Sequence, residues 1–134
     1  MPDLTLHTAL GPYPHVAALR DGTVQSDRIR FNFETVEPIT RAFRRMVRTF
    51  DFDLCEIALT TLAQAVAYGK RITGLPLVMT GGFHHGSLVC RSGSPLHGAL
   101  DLPGRRIGVR AYSQTTGIWC AASCGASMAL RPKR

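Results

Sequence analysis

The chain has 134 residues, enough for one small domain, and its 45% hydrophobic content is typical of a globular protein. Its net charge of +7 falls to +4 without the three cations at the carboxyl end, and the other arginines are dispersed with no interleaved aromatic residues, which argues against nucleic acid as a partner. No apolar run is long enough to span a membrane and no signal-peptide pattern opens the chain, so we expect a cytoplasmic protein with no membrane partner.

Strands are predicted to alternate with helices over the first half of the chain. Apolar patterns predict strands at residues 4–10, 29–36 and 53–58. Helical spacing predicts helices at residues 15–20, 39–50 and 62–68. We expect Pro38 in the first turn of the second helix, Thr60 or Thr61 as the cap of the third, and Gly69 at its end.

Two helix faces follow from the same spacing. Residues 62–66 are expected in the core. The arginines of the second helix are expected to form a solvated face: Arg41, Arg44, Arg45 and Arg48.

The second half continues the alternation with shorter segments. Strands are predicted at residues 75–79, 87–91 and 107–109, and a helix begins in the polar run 113–116. Strands that alternate with helices indicate an α/β fold with a parallel sheet and right-handed crossovers.

Ligands of open α/β sheets bind beyond the carboxyl ends of the strands. Four loops of this chain are expected to meet there: residues 11–15, 36–40, 56–61 and 80–87. The helix that begins at residues 113–116 is expected to face them from a second lobe.

The sequence GGFHHGS at residues 81–87 holds the strongest candidates for chemistry. His84 or His85 would act as a proton donor or an anion partner near neutral pH, and the flanking glycines allow a ligand to approach closely. The alternative is a solvated pair of loop histidines. Ser87 closes this loop and is a substrate-binding candidate.

Further candidates lie at the other strand ends. Glu56 would orient a substrate hydroxyl or tune a histidine, and its alternative is a structural carboxylate. Tyr13 and Thr60 are substrate-binding candidates on the first and third loops.

The helix start can bind an anion because the N–H groups of a first turn have no partner inside the helix. The residues that would form this anion cradle are Ser113, Gln114, Thr115 and Thr116. Arg110, just before them, could pair with a carboxylate, with surface exposure as the equal alternative.

The four cysteines indicate neither a disulfide framework nor a metal site. Cys55 and Cys90 lie in apolar contexts, where we expect buried free thiols. Cys120 and Cys124 lack the second pair that a zinc site needs. We expect no metal and no cofactor.

The tail after Trp119, CAASCGASMALRPKR, does not continue the helix amphipathically. Back-translation with G/C-ending codons (GCA at Ala122 excepted) and one added G turns it into VRGILRGEHGVAPEA, which has apolar residues at helical spacing. We predict that residues 120–134 are frameshifted and that the true protein is longer; the alternative is a native short tail.

Five segments together resemble one known family. They are LTLHTALGPYP, the D-G-x-V-x-x-x-x-I loop at residues 21–29, FDFDLCEIALTTLAQA, LPLVMTGGFHHGSLVC and LDLPGRRIGVRAYSQTTGIW. They resemble the N-terminal part of the 4,5-dihydroxyphthalate decarboxylase family, a cytoplasmic branch of the type II periplasmic-binding-protein fold. Two positions depart from its pattern: Pro14 stands where the family has an acidic residue, and His84 where it has an arginine.

The resemblance implies an incomplete type II periplasmic-binding-protein-like fold, with a first lobe at residues 1–95 and the start of a second at 96–119. It also implies a lyase that converts 4,5-dihydroxyphthalate to 3,4-dihydroxybenzoate, with His85 as the acid or hydroxyl partner and Glu56 as the orienting carboxylate. This chain would be an inactive fragment of the full-length parent. The partner would be a small aromatic or organic anion. The rival hypothesis is the substrate-binding protein of an ABC transporter.

Overall fold

The computed structural model describes residues 4–111 and 113–123, without the side chains of residues 85 and 99. The chain forms two compact units, Met1–Met79 and Thr80–Arg134. The predicted lobe boundary after residue 95 falls inside the second unit.

A parallel sheet of three strands forms the centre of the first unit. The strands are β1 (Leu4–Ala9), β2 (Ile29–Phe33) and β3 (Leu54–Cys55), in the order β2-β1-β3. The register pairs Leu4 with Ile29 on one side of β1 and Thr8 with Leu54 on the other. The α/β class and the three strands of this unit are therefore confirmed, with ends shorter than predicted.

Three helices follow these strands. A 3₁₀ turn, Pro14–Val16, leads into α1 (Ala17–Arg20), and α2 (Thr40–Thr49) and α3 (Leu59–Ala67) complete the unit. Gly69 ends α3 with a φ of 70°, as predicted, because a positive φ suits a residue without a Cβ.

The start signals of two helices were predicted wrongly. Pro38 lies before α2, whose cap is Ile39, and the cap of α3 is Ala58 rather than a threonine. Helix α3 therefore begins one residue before Thr60, and both threonines lie in its first turn.

The core of this unit lies between α2 and the sheet. Ala9 and Ala42 are fully buried and Phe52 is 3% exposed, so two small side chains let the helix approach the sheet beside one large ring. The prediction that residues 62–66 are core is wrong in part, because Ala65 is buried but Val66 is 54% exposed. Among the described residues, too few pack against the side of α3 that carries Val66 to bury this side chain.

A polar cluster ties α2 to the sheet and corrects the prediction that Arg45 is solvated. The Arg45 guanidinium forms ion pairs with Glu34 and Asp51, and it lies 4.5 Å from the centre of the Phe52 ring. His7 adds two contacts, from Nδ1 to the Asp51 carbonyl oxygen (2.8 Å) and from Nε2 to Glu34 Oε2 (3.0 Å). Arg41, Arg44 and Arg48 are exposed, as predicted.

This cluster predicts that the first unit loses stability in acid. Hydrogen bonding to Arg45 lowers the pKa of Glu34 below 4.5, and hydrogen bonds from Thr49 and Arg45 lower that of Asp51 below 3.8. Lowered carboxyl pKa values contribute stability that is present above the unfolded-state values and is lost as the pH falls through the folded-state values.

Urea unfolding followed by circular dichroism between pH 6 and pH 3 tests this prediction. The midpoint is expected to fall over this range, and to fall less in Arg45→Met than in the control Arg44→Met, which changes an exposed arginine of the same helix. Equal falls in both variants would contradict the prediction.

The second unit contains α4 (Thr115–Ser123) and two single 3₁₀ turns, His85–Ser87 and Ala99–Asp101. Helix α4 runs past Trp119 to Ser123; residues 124–134, and with them Cys124 and most of the predicted frameshifted tail, lie outside the described residues.

The strands predicted at residues 75–79, 87–91 and 107–109 are wrong, because none of these segments is a strand. A strand needs a partner for its backbone groups, and no partner segment pairs with them in the described part of the chain. Large apolar side chains in all three of these segments are consequently exposed, including Val78 (83%), Val89 (90%) and Val109 (41%).

No helix within the described ranges is both long and apolar enough to cross a membrane.

Candidate functional site

Glu56 joins two loops at the carboxyl edge of the sheet. It directly follows β3, and its backbone N–H donates to the carbonyl of Ala9 at the end of the neighbouring β1 (3.1 Å). Its side chain is buried, with Oε2 accepting from the Gly11 N–H and Oε1 from the Tyr13 hydroxyl, each at 2.9 Å. The predicted meeting of the first and third loops is therefore present within the first unit.

Tyr13 is held in one orientation by its surroundings. A Cβ at Gly11 would lie 2.6 Å from two atoms of the Tyr13 ring, so only glycine leaves room for this ring. The His15 imidazole also stacks on the Tyr13 ring, with an interplanar angle of 2° and 5.4 Å between the ring centres. Burial, and then the hydrogen bond to Glu56 and its negative charge, raise the pKa of Tyr13 above its usual 10.0. The phenol therefore keeps its proton across the neutral range.

The loop at residues 81–87, here called the histidine loop, contacts the start of α4 within the second unit. His84 Nδ1 lies 3.2 Å from Thr116 Oγ1, and the His84 carbonyl accepts a weak hydrogen bond from the Cys120 thiol at 3.4 Å. These contacts join residues more than thirty positions apart in the sequence. The side chain of His85 lies outside the described residues, so the structure gives no position for its imidazole.

A cavity of about 480 Å³ lies beside this contact, within the second unit. This volume falls in the range of small-molecule pockets. Its lining includes four of the predicted substrate-binding residues: Ser87, Arg110, Gln114 and Thr116. Apolar residues complete it, among them Leu88, Ile107, Val109 and Ile118. Ser113 and Thr115 adjoin these residues in the sequence without lining the cavity.

The lining suits an aromatic anion. Apolar side chains can cover a ring, and hydroxyl and amide groups at the start of α4 can hydrogen-bond a carboxylate where the helix dipole favours negative charge. Arg110 supplies a cation at the same cavity.

Thr60 lies two residues into α3, close in sequence to Glu56, and it makes interactions of its own. No three histidine, cysteine or acidic side chains in the described ranges lie close enough together to hold a metal ion.

The cysteines divide by environment. Burial, and then the negative charge of Glu56, raise the pKa of the Cys55 thiol to about 12, which makes it unreactive at neutral pH. Cys90 is exposed, so its predicted burial is wrong because the strand that would have buried it does not form.

Sequence reasoning missed two contacts of this site. The Gly11 N–H was not identified as a partner of Glu56, because a backbone donor leaves no mark on the sequence. Cys120 follows Thr116 by four positions, so both lie on one face of a helix, and this spacing could have revealed that both reach the histidine loop.

Comparison with known proteins gives two relatives. Curated proteins named 4,5-dihydroxyphthalate decarboxylase, from Comamonas testosteroni and Pseudomonas putida, are each 33% identical to this chain over 120 residues, or 89% of its length. The chain spans 36% of the length of the first and 46% of the second. No family model and no solved structure matches it. The chain is therefore a distant relative of these decarboxylases.

Proposed function

We propose that this chain carries a substrate-binding and catalytic part of a carboxy-lyase that acts on 4,5-dihydroxyphthalate or a close dihydroxylated aromatic dicarboxylate. The observation that carries the proposal is the 33% identity to two decarboxylases across 89% of the chain. The cavity with Arg110 and Thr116 near His84 supports the ligand class, since a flat dianion needs apolar walls and positive groups.

The chemistry of this proposal needs no external cofactor. A ring hydroxyl para to a carboxylate-bearing carbon pushes electron density onto that carbon, which takes a proton from a general acid. The bond from this carbon to the carboxylate then breaks and CO2 leaves. The electron pair of the broken bond restores the aromatic ring. The product is 3,4-dihydroxybenzoate, with one proton in place of one carboxylate.

The roles follow the sequence prediction. His85 donates the proton and His84 contacts the ligand as an anion partner. The start of α4 and Arg110 hold the retained carboxylate. Within the first unit, Glu56 orients the loop that carries Tyr13.

The test is to incubate the chain with 4,5-dihydroxyphthalate and to measure both binding by calorimetry and released CO2. The proposed function predicts binding with CO2 release, where the inactive fragment implied by the sequence resemblance would release none. Arg110→Gln is expected to weaken binding by about tenfold, in the range of a charge-assisted hydrogen bond. The control is Arg106→Gln, an exposed arginine outside the cavity lining, which should bind normally. Tight binding without any CO2 would contradict the lyase and favour a binding protein.

A further inference from the structure

The proton of the Tyr13 hydroxyl is already committed within the first unit. The hydroxyl donates to Glu56 Oε1, with 2.9 Å between the two oxygens. Glu56 is 7% exposed, and its other carboxylate oxygen accepts from the Gly11 N–H. A phenol has one proton and two lone pairs. While the proton goes to Glu56, Tyr13 can offer a ligand only its oxygen lone pairs.

Tyr13 also stands where a ligand of this fold class binds. Its loop follows β1 and contacts the residue after β3, so it lies at the carboxyl edge of two neighbouring parallel strands. The ring packs so closely on Gly11 that an added Cβ would lie 2.6 Å from it, and the His15 imidazole stacks on it. The oxygen is therefore a fixed acceptor and not an adaptable hydroxyl.

We propose that Tyr13 is a specificity-determining residue that accepts a hydrogen bond from a hydroxyl group of the ligand, and that Glu56 is the positioning residue that makes it an acceptor. This inference rests on the proposed function for the identity of the ligand. It goes beyond that function by stating that the first loop selects ligands whose oxygens donate a hydrogen bond over ligands whose oxygens at the same positions can only accept one.

Glu56→Gln gives this inference a signature that a structural role would not produce. The Gly11 N–H is fixed and needs an acceptor, so the amide oxygen of the glutamine must face it and the amide NH2 must face Tyr13. Tyr13 would then accept from the amide and turn its own proton outward. The preference of the first loop should shift from donors to acceptors.

The experiment measures the binding of 4,5-dihydroxyphthalate and 4,5-dimethoxyphthalate by calorimetry. The dimethoxy compound keeps both oxygens as acceptors and cannot donate. The proteins are the unaltered chain, Tyr13→Phe, Glu56→Gln and the control Tyr68→Phe, which removes a hydroxyl from an 85% exposed tyrosine. Circular dichroism melting checks that each variant folds.

For each protein, the dissociation constant of the dimethoxy ligand is divided by that of the dihydroxy ligand. This ratio is expected to be above one and to be the same in the unaltered chain and in Tyr68→Phe. Tyr13→Phe should lower that ratio by about fivefold, the value of one ordinary hydrogen bond, and Glu56→Gln should lower it further by improving the binding of the dimethoxy ligand. If Glu56→Gln does not fold, the ratio in Tyr13→Phe decides alone.

The outcomes separate the inference from the function beneath it. An unchanged ratio in Tyr13→Phe would overturn the inference and leave the proposed function standing. A chain that binds neither ligand would overturn the proposed function, and the inference with it.

Discussion

The His85→Ala variant is expected to release CO2 from 4,5-dihydroxyphthalate at least about a hundredfold more slowly than the unaltered chain, because a positioned general acid contributes about 10²–10⁴-fold. The loss should appear in kcat, since protonation of the ring carbon belongs to the transition state and not to binding. Product formation followed by the absorbance of 3,4-dihydroxybenzoate measures it.

His84→Ala is expected to behave differently. His84 contacts Thr116, which lines the cavity, so its loss should raise KM more than it lowers kcat. The control is His97→Ala, an exposed histidine of the same unit, which should leave both constants unchanged. Near-normal kcat in His85→Ala would discard His85 as the acid, and a hundredfold loss of kcat in His84→Ala instead would transfer the role to His84.

The first unit could be predicted well from its sequence because its patterns are local. Residues 4–10 alternate and residues 39–50 carry an apolar stripe, and both elements form within one or two residues of the predicted ends. Arg45 was placed wrongly because its environment depends on Glu34 and Asp51, which lie on other segments and give no sign in the helix pattern. Helical periodicity tells which face is apolar and does not tell which polar side chains find partners.

The second unit could not be predicted in the same way. Its apolar runs, at residues 87–91 and 107–109, are short, and a short apolar run becomes a strand only when another strand pairs with it. Whether a partner strand is present depends on residues far away in the sequence and not on the apolar run itself. The helix at Thr115–Ser123 formed where predicted because its hydrogen bonds are internal.

The candidate site lies between these two cases. The rule that ligands bind at the carboxyl edge of a parallel sheet brought Tyr13 and Glu56 together correctly, although they are 43 positions apart. It could not indicate which group donates and which accepts. That assignment depends on the Gly11 N–H, whose position requires the folded loop.

The Glu56→Ala variant is expected to lower the free energy of unfolding by about 3 kcal/mol, because it removes two hydrogen bonds to a charged group and leaves the buried Gly11 N–H unpaired. Glu56→Gln should cost less than half as much, since the amide can accept from Gly11 while Tyr13 turns its hydroxyl to accept from the amide. Urea unfolding followed by far-ultraviolet circular dichroism measures both values.

Glu37→Ala is the matched control, because Glu37 is an exposed glutamate of the same unit whose side chain lies outside this network. Its effect should stay within about 0.5 kcal/mol, as for most surface substitutions. The loss in Glu56→Gln is the decisive part, because glutamine keeps the volume of glutamate. A buried carboxylate that served only to fill space would make Glu56→Gln cost nothing, whereas one that holds two donors loses the charge-assisted part of both hydrogen bonds in this variant.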